Sequence, residues 1–269
     1  MQEKKSAKKS LGQNFLSDPK ILKKIVDSAE ITEGDTVVEI GPGKGSLTLE
    51  LLRVAKKVIA VEKDELLAKN LEEIFSKEIT DNRLQIIVDD VLNCNLKTID
   101  YKLVGNIPYY ITGEIFRKFL ESQNQPKSIT FVIQKEVAER IVAKNNKESI
   151  LSISIKVYGE PKFGGVIKKG SFFPKPKVDS AIIHISDINK DRFSANKIAE
   201  KDFFDLVRTG FAHKRKLLIR NLNSLGMPRG ALGIKRLEEI FDELGIERKI
   251  RAEDLNIEDW LNLAKNIFR

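Results

Sequence analysis

The stretch TVVEIGPGKGSLT (36–48) decides how the chain is read. Its first five residues, Thr36 to Ile40, form a short apolar run rich in β-branched residues, as a buried strand does. A glycine-rich turn follows, and a helix is predicted from about Ser46. Gly41, Gly43 and Gly45 let the backbone come close to a ligand where side chains would clash. The spacing is not G-x-G-x-x-G, so a dinucleotide pyrophosphate is not specifically indicated. Alone, the pattern also fits a plain tight turn.

Two acids sharpen it. KVIAVE (57–62) is a second predicted strand and ends on Glu62, 21 residues after Gly41. An acid there is placed to accept both hydroxyls of a ribose. LQIIV (84–88) is a third strand, and Asp90 lies just beyond it, placed to bind an adenine edge. Each acid taken singly is equally a surface loop residue. Together with the glycines they point to an adenosine-containing cofactor at the carboxyl edge of a sheet.

YKLVG (101–105) is a fourth strand and runs into NIPY (106–109). The bland reading is an Asn-Pro turn before a helix. The tetrad resembles the N-P-P-Y motif of methyltransferases that act on exocyclic nitrogens. An adenine amino group is a poor nucleophile because its lone pair is delocalised into the ring. If the Asn106 side-chain carbonyl and the Ile107 backbone carbonyl accept its N–H bonds, that lone pair is freed. Pro108 stiffens the turn. Tyr109 offers a ring on which a flipped-out base stacks, worth ~1–3 kcal/mol per base.

Further along, a helix is predicted from about Gly113 to Leu120, and SITFVIQ (128–134) is a fifth strand. SILSISIKVYG (149–159) has strand propensity but is ambiguous with a helix. DSAIIHIS (179–186) alternates and reads as a last strand, with His184 a core residue rather than a catalytic one. Near the start, Ser17-Asp18-Pro19 opens a helix that runs to about Ala29. The fold class that follows is α/β, a parallel sheet with helices on both faces. After a polar linker (187–198) everything reads as helical. One long helix is predicted from near Asp202 to about Gly226, another from about Ile234 to Gly245, and a last one after Asn256. The predicted domains are therefore 1–187, with 1–16 a basic arm, and 188–269, a small helical domain.

The chain has 269 residues, 41% hydrophobic and 32% charged, with a net charge of +8. It is long enough for one sizeable core and a smaller domain. No window is apolar enough to span a bilayer, and the lysine-rich start has no apolar stretch behind it, so no secretory signal is read there. The single cysteine, Cys94, excludes a disulfide framework and a cysteine-rich zinc site, and no metal is expected. These features suggest the cytoplasm.

The positive charge is concentrated. No Asp or Glu occurs from Val207 to Leu237, a run that holds Arg208, Lys214, Arg215, Lys216, Arg220, Arg229, Lys235 and Arg236. A second acid-free run, Pro161 to Val178, holds Lys162, Lys168, Lys169, Lys175 and Lys177, and the N-terminus adds Lys4, Lys5, Lys8 and Lys9. One such run is often only a solvated surface. Three suggest a polyanion, and Arg208, Lys214, Arg215, Lys216 and Arg220 are the expected phosphate contacts.

Taken in order, LGQNFL (11–16), EIGPGKGSLT (39–48), Glu62, DDVL (89–92), GNIPYYI (105–111), SFFPKPKVDSAI (171–182) and FAHKRKLL (211–218) resemble the small-subunit ribosomal RNA adenine dimethyltransferases, the type whose loss confers kasugamycin resistance. The resemblance spans nearly the whole chain. It implies a Rossmann-like class I methyltransferase sheet with a helical C-terminal domain, and S-adenosylmethionine as donor. It implies dimethylation of N6 on two adjacent adenines near the 3′ end of small-subunit rRNA, in a partly assembled 30S particle, by a monomer with no membrane partner.

The resemblance also assigns roles. Asn14 and Leu16 close over the methionine end of the donor, with Gly41 and Gly43 lining it and Asn106 beside it. Glu62 holds the ribose and Asp90 the adenine. Asn106 binds the target amino group, and Tyr109 and Phe172 sandwich the target base. FAHKRKLL corresponds to a basic helix. Tyr110 follows the motif tyrosine where the family often has another residue, and Asp89 replaces the usual glycine before Asp90. Two alternatives share many features: the erythromycin-resistance methyltransferases of large-subunit RNA, and an RNA-binding assembly factor in which catalysis is secondary. FAHKRKLL and the full-length match favour the small-subunit enzyme.

Overall fold

The computed structural model describes residues 14–96, 100–224 and 233–268. Lys4, Lys5, Lys8, Lys9, Arg229 and the first three residues of LGQNFL lie outside these. A two-residue strand, β1 (Phe15–Leu16), precedes α1 (Pro19–Ser28), where the Asp18 side chain accepts the Lys20 N–H at 2.9 Å. Then come β2 (Thr36–Ile40), α2 (Ser46–Val54), β3 (Lys57–Glu62), α3 (Glu65–Ile74), α4 (Ser76–Thr80), β4 (Leu84–Val88), β5 (Tyr101–Asn106), α5 (Thr112–Glu121), β6 (Ser128–Gln134) and α6 (Lys135–Ile141). The remainder is α7 (Ile150–Lys156), β7 (Glu160–Ile167), β8 (Phe172–Phe173), β9 (Ser180–Ser186), α8 (Asp191–Asn196), α9 (Glu200–Gly210), α10 (Leu218–Ser224), α11 (Ile234–Glu243) and α12 (Ile257–Ile267).

Contacts divide the chain into two units, residues 1–138 with 161–188, and residues 139–160 with 189–269. In the first, seven strands form one sheet in the order β4-β3-β2-β5-β6-β9-β7. Strands β2 to β6 are parallel. Runs of consecutive buried residues in β2, β3 and β6 mean that both faces are covered, as a parallel sheet requires. The far edge departs from the parallel expectation: β9 runs antiparallel to β6. The basic run from Pro161 also hides a strand, β7, which lies at the sheet edge. Lysine at such a place keeps an unpaired strand from recruiting another chain. Among the described residues no helix is long and apolar enough to cross a membrane.

The order of strands matters for function. The chain builds outward from β2 through β3 to β4, then returns to β5 on the other side of β2. Ligands of such sheets bind where the direction of build reverses, at the carboxyl ends. The register aligns those ends: Ile40 lies opposite Val61 and Gly105, and Glu62 opposite Val88.

The second unit corrects three expectations, the placement of residues 139–160, the single long helix from Asp202 and the basic helix at FAHKRKLL. Residues 139–160, expected with the sheet, belong here because the Tyr158 ring packs on Phe193 and Phe204, with ring centres 5.5 and 6.0 Å apart. SILSISIK, with strand propensity, becomes α7 because Ser149 and Ser152 cap each other's backbone N–H groups. The long helix expected from Asp202 is two helices. The α9 helix stops at Gly210, and FAHKRKL (211–217), expected as a basic helix, is a turn before α10. Two contacts stabilise the break. The Phe211 ring stacks on buried Trp260, with centres 5.7 Å apart. Asn221 Nδ2 donates to the carbonyls of Gly210 and His213 at 2.6 and 3.1 Å, satisfying groups that the helix end leaves open.

Gly210 tests this packing. A Cβ there would lie 2.4 Å from the Trp260 ring and 2.8 Å from Leu218 Cδ1. Helix propensity favours alanine by about 1 kcal/mol, whereas overpacking a rigid core costs about 1–3 kcal/mol. Both contacted side chains are fully buried, so the clash should win. Gly210→Ala is expected to lower stability by about 1–2 kcal/mol in urea unfolding; an unchanged or raised midpoint would contradict the packing.

Candidate active site

The turn after β2 is built by glycine. Gly43 has φ +58° and Gly45 has φ +82°, conformations that side chains rarely adopt. Space is also short: a Cβ on Gly43 would lie 2.9 Å from the Phe15 ring, and one on Gly45 would lie 2.6 Å from the Phe75 ring. The turn therefore keeps bare backbone facing a cleft of about 290 Å³ at the carboxyl ends of β2 to β5. Asn14, Gly41, Gly43, Glu62, Asp90 and Asn106 line it, as do Ile107, Pro108 and Tyr109. Nine of the residues singled out from the sequence thus converge on one cavity.

Glu62 is 5% exposed. Its two oxygens each accept one backbone N–H, from Gly43 at 3.0 Å and from Asp64 at 2.9 Å. Burial pushes its carboxyl above the usual range, and these two backbone bonds work against that rise. The arrangement orients the carboxylate against the glycine turn while lone pairs remain for a diol. Asp90 lies just beyond β4 and lines the same cleft as Gly41 and Gly43. Lys63 donates to its Oδ2 at 2.7 Å, and the Leu92 N–H to its Oδ1 at 2.9 Å. The Lys63 bond is the main reason its carboxyl titrates below the usual range, so Asp90 is an ionised acceptor. Lys63 itself escaped the sequence reading; a cation directly after the acid that ends β3 was the available signal. A pocket with a buried carboxylate, a second ionised acceptor and a side-chain-free turn suits an adenosine-bearing donor.

The NIPY segment closes the opposite wall. Asn106 ends β5, and Tyr109–Ile111 forms a single 3₁₀ turn into α5. Asn106 Nδ2 donates to the Asn14 carbonyl at 2.8 Å, which leaves Oδ1 as the group available to a ligand. The Tyr109 hydroxyl shares a 2.6 Å hydrogen bond with Ser180 Oγ, and Ser180 is fully buried at the start of β9. That contact holds the ring from its far end. Tyr110 also lines the cleft and is 64% exposed, so it does not pack behind its neighbour.

Two expected residues lie elsewhere. Leu16 and Phe172 are 6% and 4% exposed and belong to the apolar core with Leu22 and Ile25. They face each other across the short β1–β8 ladder. Leu16 lines only a smaller space of about 40 Å³ beside the main cleft. Phe172, expected to face Tyr109 across a base, has its ring in the core because the ladder turns that face inward. Its neighbour Phe173 is 75% exposed. In the second unit, Lys214, Arg215, Lys216 and Arg220 are exposed and make no ion pair among the described residues, whereas Arg208 is held by Asp205 at 2.6 Å. His184 bonds Thr130 at 2.8 Å between β6 and β9, a core position as expected.

Glu39 is a group the sequence reading passed over. It is 1% exposed, accepts from the Thr48 hydroxyl at 2.7 Å, and leaves Oε1 with no partner among the described residues. Burial pushes its carboxyl up to about 8 from 4.5, so it is protonated at neutral pH. The unfolded chain ionises first. Its contribution to stability is complete below pH 4.5 and is lost as pH rises through about 8, at about 1.4 kcal/mol per unit. Glu39→Gln is expected to flatten this fall between pH 5 and 8 in urea unfolding. Equal slopes for variant and parent would show that Glu39 is ionised in the fold.

The ribosomal RNA adenine dimethylase family model matches residues 4–268. A ribosomal RNA small subunit methyltransferase A from Dehalococcoides mccartyi is 40% identical over 265 residues, 96% of this chain and 87% of that one. Another, from Fusobacterium nucleatum, is 38% identical over 96% of each chain. Among solved structures, a dimethyladenosine transferase from Plasmodium falciparum aligns with a TM-score of 0.78 at 27% identity, over 93% of this chain and 95% of that one. The 23S rRNA methyltransferase ErmE aligns at 0.73 and 28%, over 95% and 100%. The sheet is that of a Rossmann-like class I methyltransferase, and by the match along its length the chain belongs to the ribosomal RNA adenine dimethylase family.

Proposed function

We propose that this chain transfers methyl groups from S-adenosylmethionine to N6 of two adjacent adenines near the 3′ end of small-subunit rRNA, giving N6,N6-dimethyladenine. The observation that carries the reading is Asn106–Tyr109 at the end of β5, on the same cleft as Glu62 and Asp90. Glu62 takes the ribose and Asp90 the adenine of the donor, with Gly41, Gly43 and Asn14 along its length. Leu16 acts from behind the cleft, as backing for Phe15. When bound, S-adenosylmethionine supplies an electrophilic methyl group on a sulfonium, so no strong general base is required. Asn106 Oδ1 and the Ile107 carbonyl accept the adenine N–H bonds and free the nitrogen lone pair. Pro108 holds the two acceptors in one geometry, and Tyr109, anchored through Ser180, stacks the base.

The sheet-bearing unit is the donor-binding part and the helical unit the RNA-binding part, through Lys214, Arg215, Lys216, Arg220 and Arg208. The 38–40% identity to ribosomal RNA small subunit methyltransferases A along nearly the whole chain supports the choice of RNA. By the same family logic the substrate is a partly assembled 30S particle, met in the cytoplasm by a single copy of the chain.

Asn106→Ala is expected to retain donor affinity in calorimetry while turnover on small-subunit RNA falls about 10²–10³-fold. Dimethylation at the parent rate would remove Asn106 from the mechanism. Replacing Lys214, Arg215 and Lys216 together by alanine should reduce the slope of log affinity against log salt by about 2–3. An unchanged slope would return the turn to ordinary surface.

A further inference from the structure

We propose that Phe173 is a stacking platform for a nucleobase of the substrate RNA that flanks the base entering the cleft; the proposal rests on the RNA-methylating role given above. The ladder geometry places the ring. Phe15 lies opposite Phe173, and Leu16 opposite Phe172. In an antiparallel pair, opposite residues share a face and successive residues alternate. Leu16 and Phe172 point into the core. Phe15 and Phe173 therefore share the other face, and Phe15 lines the donor cleft beside Gly43. Phe173 is presented on the cleft side of the ladder, 75% exposed, more than any other large apolar residue described.

Charge selects the occupant. Lys175 and Lys177 follow at two and four residues, exposed and without an ion pair among the described residues. The nearest acid along the chain, Asp179, is already engaged. It accepts the Lys169 N–H at 2.9 Å and pairs with Lys168 at 3.1 Å. An exposed ring held by a backbone ladder and followed by free cations is the chemistry of a single-stranded base with its phosphate. It also accounts for the exchange of roles at this position, since Phe172 is committed to the core. The ring handles the neighbouring nucleotide while Tyr109 holds the target.

The test uses the full chain and an RNA oligonucleotide of the target loop with 2-aminopurine placed either at the target or at the adjacent position. The parent should quench the adjacent fluorophore. Phe173→Ala should abolish that quenching and weaken RNA binding about tenfold, whereas Phe173→Trp should preserve both. S-adenosylmethionine affinity and the signal at the target position should stay unchanged in both variants, which also shows that they fold. Parent-like quenching and affinity in Phe173→Ala, with methylation intact in the parent, would overturn this proposal alone. A parent chain that neither binds nor methylates the RNA would overturn the functional reading and this proposal with it.

Discussion

The close approach of β5 to β2 is the constraint on which the site depends. Gly105 lies opposite Ile40, and a Cβ on it would come 2.8 Å from the Ile40 carbonyl oxygen. Only a bare backbone fits there. The fit puts Asn106 one residue beyond the strand partner of Ile40, beside the glycine turn that begins at Gly41. The glycine turn and the Asn106 side chain thus meet at the point where the sheet reverses its direction of build.

A short strap ties the two halves of the cleft together. Asn14 holds the Asn106 amide, Phe15 lies against Gly43, and Leu16 pairs with Phe172. Three successive residues thereby touch the NIPY segment, the glycine turn and the segment after β7. Burial of Leu16 and Phe172, worth about 1.5–3 kcal/mol each, anchors this strap to the sheet rather than to either ligand. Its hydrogen bond to Asn106 is also what sets the amide's orientation, from 92 positions away in the chain.

Much of this was legible in the sequence. Glycines at 41, 43 and 45, an acid ending the next strand and an Asn-x-Pro-Tyr ending the fourth are local signals, and each names its own place at a strand end. The misreadings share one cause. The α9 helix looked continuous into α10 because periodicity does not register that Phe211 stacks on Trp260, about fifty residues away in sequence. SILSISIK stood open between strand and helix, and the two serines that cap it decide for the helix. Glu39 looked like one more polar residue in a strand; its burial and its lone bond to Thr48 are visible only in space.

The sequence by itself determined strands β2 to β6 and β9, the glycine turn, and that Glu62, Asp90 and Asn106–Tyr109 stand at or just beyond strand ends. These depend on residue type and on spacing along one element. Tertiary structure alone decided which aromatic faces outward. Phe172 and Phe173 are adjacent and alike in composition, and only the register of the β1–β8 ladder sends one into the core and the other toward the cleft side. It likewise decided that Tyr109 is held by Ser180 and Asn106 by Asn14, because pairings across 71 and 92 residues are set by how strands align.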